Sequence, residues 1–85
     1  MRVRVSSRRL VMHVILRFLR ENGYRYFTYR SLRAYIFRNR IPLEWHTVER
    51  VIRRLAEEGL LERIYTRKRR VRFYPTPRLL EEVGE

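Results

Sequence analysis

The chain has 85 residues, of which 45% are hydrophobic and 35% charged, with no cysteine and a formal net charge of +12. That length predicts one small domain, residues 1–85, with a modest core and neither disulfides nor thiolate metal ligands. No apolar run approaches the roughly 18 residues of a membrane span and no signal-peptide core opens the chain, so a cytoplasmic protein without membrane contact is expected.

Lys and Arg number 21 against 9 Asp and Glu, a balance that favours a polyanionic partner and a nucleoid-associated location. Twenty of the 21 are arginine, whose planar fork can grip phosphate or guanine bidentately and can stack on bases. The lack of Asp, Gln and Cys fits a thermophilic source, although GC-rich coding would give the same arginine excess.

In chain order, residues 2–5 alternate Arg and Val and are expected as an edge strand or a basic arm. Helix 1 is predicted over 6–22, capped by Ser6 or Ser7, with Leu10, Val11, Val14, Ile15, Phe18 and Leu19 on one face and Asn22-Gly23 at its end. Tyr24 to Phe27 reads as a brief strand or extended link before Thr28, the cap of helix 2. Helix 2, over 28–38, would bury Leu32, Ile36 and either Tyr35 or Phe37. Asn39-Arg40-Ile41-Pro42 makes a turn, and Pro42 suits the first position of helix 3, over 42–58.

On helix 3, Val48, Val51, Ile52 and Leu55 recur at intervals of three and four and form one stripe, and Gly59 supplies a left-handed stop. A hairpin is predicted over 60–76, where two β-rich runs enclose Arg67-Lys68-Arg69-Arg70. Pairing Arg67 with Arg70 across the tip puts Ile64, Thr66, Val71 and Phe73 on a greasy face, with Arg63, Tyr65, Arg72 and Tyr74 on a basic-aromatic one. Thr76-Pro77 starts a short helix 4 over 77–83, seating Leu79, Leu80 and Val83 on the core. The fold class is therefore α+β and mostly helical: a three-helix core, a hairpin and a short C-terminal helix.

The order helix, glycine, strand, basic tip, strand is that of a recognition helix followed by a wing. Thr47, Val48, Arg50, Leu55, Gly59, Leu60, Leu61 and Arg63 resemble the Thr-Val-x-Arg, Leu-x-x-x-Gly-Leu-hydrophobic-x-Arg signature of winged helix-turn-helix regulators. The multiple-antibiotic-resistance and arsenical-resistance repressor types are among these. The resemblance extends more loosely over residues 7–83. It implies a small transcription regulator on double-stranded DNA, with helix 3 in the major groove. It also implies a homodimer on a pseudo-palindromic site, for which helix 1, the terminal strand or residues 77–83 would have to serve.

On that basis His46, Thr47 and Arg50 are the candidate base-contacting residues, arginine to guanine and threonine to a base edge or methyl group. The bland alternative makes Glu49 with Arg53, and Arg54 with Glu58, i,i+4 surface pairs. Arg30, Arg33, Arg53, Arg67, Lys68, Arg69, Arg70 and Arg72 are the candidate backbone contacts, which supply affinity rather than sequence reading. Trp45 is expected to pack rather than to stack on a base. The arginine-interleaved rings from Tyr24 to Arg30 could form a single-strand platform but are expected mostly to pack helix 1 against helix 2.

His13 and His46 stand far apart in sequence, so no metal or cofactor is expected, and no nucleophile elbow or phosphate-binding glycine loop marks an enzyme. Two rival classes remain: a chromatin or RNA- or ribosome-associated structural protein without sequence preference, and a winged-helix interaction module for an acidic protein. Equal competition by RNA would mark the first, and weak DNA binding at physiological salt the second.

Overall fold

The computed structural model describes residues 6–83, with elements α1 (Ser7–Glu21), α2 (Tyr29–Arg38), α3 (Trp45–Glu57), β1 (Leu61–Tyr65), β2 (Val71–Pro75) and α4 (Pro77–Glu82). The expected strand or arm at residues 2–5 lies outside the described residues. Ser6 caps α1, its Oγ accepting from the Arg9 amide at 3.2 Å, and Thr28 caps α2 in a reciprocal box with Ser31. Gly23 at φ +76° turns the chain out of α1. Buried side chains from every element meet in one core, including Val11, Ile15 and Leu19 of α1, Leu32 of α2, Ile52 and Leu55 of α3, Phe73 of β2 and Leu79 of α4.

The amide of Phe27 donates to the Phe73 carbonyl at 3.0 Å and the Phe73 amide returns the bond at 2.8 Å. This single antiparallel bridge joins the link before α2 to the hairpin, so the hairpin is stitched to the helices by backbone as well as by packing. The rings follow the same seam. Phe27 stacks on Phe73 at 5.2 Å, and Tyr26 lies 5.4 Å from Tyr74. The aromatic run therefore packs mainly against the wing, not between α1 and α2 as expected, because the bridge lays this segment alongside β2.

Two further expectations are corrected, the start of helix 3 and the burial of Val51, and one alternative is resolved. Helix 3 begins at Trp45, not Pro42: the Leu43 amide donates to the Ile41 carbonyl at 2.8 Å, closing a three-residue turn around Pro42 that is not helical. Of the two candidates on α2, Tyr35 is buried, whereas Phe37 is 87% exposed. Val51 is only partly buried, at the margin of the α3 stripe.

The hairpin register differs by one residue. Tyr65 pairs with Val71, Ile64 with Arg72, Arg63 with Phe73 and Leu61 with Pro75. At the tip the Arg69 amide donates to the Thr66 carbonyl at 3.1 Å and the Thr66 amide to the Arg70 carbonyl at 2.7 Å, with Arg69 left-handed at φ +57°. This is a three-residue loop with a bulge, not a two-residue turn. Since a slip of one flips a strand, Arg63 and Tyr65 share the face of Phe73, while Ile64 turns outward and is 41% exposed. Burial explains the choice of parity: this register puts both Leu61 and Phe73, each almost fully buried, on the core side, and a slip of one does not.

Candidate nucleic-acid interface

On α3, apolar contacts take Val48, Ile52 and Leu55 inward, so helical spacing sends His46, Glu49, Arg50 and Arg53 to the opposite side. His46 and Arg50 are exposed and Thr47 is half-buried. His46 Nε2 lies 3.6 Å from Glu44 Oε2 at the helix start. Arg50 borders a cleft with Arg8, Val51, Arg54 and Glu58, on the α1 side of α3. Arg53 lies on the side of α3 where its charge, like that of Arg63, reaches Tyr29. There burial raises the Tyr29 pKa while the fields of Arg53 and Arg63 pull it back.

The wing tip and α2 come together around a cavity of about 340 Å³ lined by Thr28, Tyr29, Arg30, Arg69, Arg70 and Val71. Three arginines from two distant chain segments thus meet around one cavity at the start of α2. Arg67 and Lys68 are exposed at the tip itself. Arg72 is not part of this group: it points away from Phe73, and its guanidinium carbon lies 4.6 Å from the centre of the Tyr26 ring. Its pKa is raised, first by the Tyr74 hydroxyl and then by Tyr26.

From the core outward, Phe27, Phe73, Tyr29 and Trp45 form a train of rings, with Tyr29 edge-on to Phe73 at 5.0 Å and Trp45 edge-on to Tyr29 at 6.0 Å. Trp45 thus packs, as expected. Arg33 lies over it at 5.7 Å and continues the train to the surface.

At the C-terminal end of α3 the charges are compensated. Arg8 grips both oxygens of Glu58 at 2.9 Å, Arg54 approaches the same carboxylate at 3.6 Å, and Arg78 donates to the Glu58 carbonyl at 2.7 Å. The Glu58 pKa is lowered, first by the Arg8 hydrogen bonds. Among the described residues, no carboxylate lies within ion-pair distance of Arg30, Arg33, Arg53, Arg67, Lys68, Arg69 or Arg70. The surface pair expected between Arg54 and Glu58 forms, and the one between Glu49 and Arg53 does not.

Sequence reasoning named most cations of this face but left Arg63 out of the candidate contacts, and it left open whether Phe37 is exposed. Arg63 joins Arg53 beside Tyr29 because of the hairpin register, which the even spacing of the two runs concealed. Phe37 stands on the exposed stripe of α2, and its spacing of three and four from Ala34 and Arg33 was the available signal. Among the described residues no cluster of His, Cys, Asp or Glu could hold a metal ion, and no helix is long and apolar enough to cross a membrane.

No protein-family model matches the chain, and no curated protein matches its sequence. Solved structures do. The chain is similar to the Vibrio cholerae ferric uptake regulator, whose DNA-binding domains are described as rearranged, at TM-score 0.68 and 16% identity, over 87% of this chain and 54% of that one. It is equally similar to the iron-containing ferric uptake regulator of Francisella tularensis, at TM-score 0.68 and 16% identity, over 88% of this chain and 55% of that one. The shared feature is the winged-helix fold, and this chain spans about half the length of each neighbour.

Proposed function

We propose that residues 1–85 form a single winged-helix domain that binds double-stranded DNA as part of a transcription regulator in the nucleoid. The N-terminal half of α3 enters the major groove, where His46, Thr47 and Arg50 meet base edges. Arg30, Arg33, Arg53, Arg67, Lys68, Arg69 and Arg70 hold the flanking backbone, Arg63 joins them beside Arg53, and Arg72, turned to the other face of the hairpin, is left out. The observation that carries this reading is the set of uncompensated cations that α2, α3 and the wing bring to one face of a winged-helix fold. Two solved ferric uptake regulators of similar fold, one described by its DNA-binding domains, agree with it. In this reading a second copy of the chain, or the remainder of a longer protein, supplies the two-fold partner.

Binding of a labelled random-sequence duplex across a salt series, competed by duplex DNA and structured RNA at equal phosphate, tests the reading. A log–log slope of about four to six with duplex the better competitor supports it. RNA as the better competitor, or a shallow slope, sinks it. Selection of a preferred site then tests the division of labour. Arg50→Ala is expected to narrow the preference for that site over random duplex roughly 5- to 100-fold while leaving random-duplex affinity nearly intact. A uniform loss on all sequences would make Arg50 a backbone contact.

A further inference from the structure

Phe37 is 87% exposed, the largest exposure among the big hydrophobic side chains of the described residues. It stands on one stripe of α2 with Arg30, Arg33 and Ala34, and with Tyr29 and Trp45 these residues line a groove of about 500 Å³. That volume lies within the range of small-ligand sites. The floor is held in place by the ring train that reaches Phe73 in the core, so its aromatic surface is preorganised. The rim carries two arginines and no acid.

The charge decides which occupant fits. A second copy would set these arginines against their own images, whereas a polyanion bearing flat rings satisfies both the cations and the aromatic floor. Arg30 lines this groove and also the cavity that holds Arg69 and Arg70. A run of arginines therefore leads from the wing tip past the start of α2 into the aromatic groove. Away from its ends a paired duplex keeps its bases stacked inside and has no ring face to offer, so the base that enters along the strand must be unpaired.

We propose that the Tyr29, Phe37 and Trp45 groove binds an unpaired nucleotide of a DNA strand, with its base stacked on Phe37 and its phosphates on Arg30 and Arg33. The protein would then recognise a junction, where a single strand leaves a duplex. This goes beyond duplex binding by α3 and would hold even if α3 read no sequence.

The test compares a blunt duplex with the same duplex carrying a DNA tail of about ten nucleotides, containing 2-aminopurine, and with a longer blunt duplex of equal phosphate count. The tail is expected to raise affinity above that of the phosphate-matched duplex and to quench 2-aminopurine on binding. Phe37→Ala, at a position too exposed to matter for the core, is expected to lower affinity for the tailed duplex roughly 5- to 100-fold and leave the blunt duplex unchanged, with Phe37→Tyr restoring the difference. Blunt-duplex binding reports separately on the proposed function. The inference is overturned if the tail adds nothing, if Phe37→Ala weakens both duplexes alike, or if an RNA tail binds more tightly than the DNA tail. It is also overturned if Phe37→Ala dissociates a dimer, since the groove would then be covered by a second copy.

Discussion

At the C-terminal end of α3, Arg8, Arg54 and Arg78 all meet oxygens of Glu58, whereas along α2 and the wing Arg30, Arg33, Arg69 and Arg70 meet rings, cavities and one another. The residue type is the same, and the difference lies in where the fold puts the glutamates. Residues 63–80 contain seven basic side chains and no acid, while Glu57 and Glu58 fall just before Gly59 and the wing. Around Glu58 arginine ties α1, α3 and the segment after β2 together. On the α2 and wing face it raises the energy of the isolated protein by like-charge repulsion, a cost that a polyanion or its released counterions would relieve.

The largest expected effect follows from removing charge on the open face. Arg69→Ala combined with Arg70→Ala should lower affinity for every duplex roughly 10- to 100-fold near 0.1 M salt and reduce the salt slope by about one to two units. Arg8→Ala should change neither quantity. If the double variant keeps the full slope, the wing is not on the DNA and the contrast between the two regions says nothing about binding.

How much of this was visible beforehand divides along physical lines. The helices were legible because their apolar stripes, the Ser6 and Thr28 caps and the Gly59 stop are local signals that the structure repeats. The start of α3 was misplaced because proline at a helix's first position and proline at the centre of a tight turn look alike until the Leu43 bond is seen. The hairpin was recognised but its register was not, since both strands alternate and neither parity is preferred by propensity. What decides it is the joint burial of Leu61 and Phe73, a non-local condition. That same shift moves Arg63 and Tyr65 onto the face of Phe73, so the charge of the site was readable while its arrangement was not.

A smaller effect tests whether the tip accepts backbone strain in order to carry charge. Arg69 sits at φ +57° in the loop, a position that favours glycine and costs other residues about 1 kcal/mol or more. Arg69→Gly is therefore expected to raise stability by up to about 1 kcal/mol in urea unfolding, tempered by the greater freedom glycine gives the unfolded chain. The same change should weaken duplex binding about tenfold through the lost cation. Opposite signs for stability and binding would mark a position held for its ligand. Loss of stability would instead mean that the Arg69 side chain supports the hairpin.

The smallest effect belongs to the compensated end and concerns pH. Glu58 has its pKa below the ordinary 4.5, first because Arg8 donates two hydrogen bonds to its carboxylate. In that interval the unfolded chain binds more protons than the folded one, so stability from this group is present above 4.5 and is lost as pH falls through the lowered folded value. Arg8→Ala should accordingly flatten the acid limb of the stability curve and slightly reduce stability at neutral pH. Because the clasp is half exposed, the change should also shrink as salt is added. An acid limb that overlays the wild type would shift the origin of the lowered pKa from Arg8 to Arg54 and Arg78, which lie on the same carboxylate and its backbone carbonyl. Either way DNA affinity at neutral pH should not move, since the charge of Arg8 is already compensated by the carboxylate of Glu58, to which it donates two hydrogen bonds.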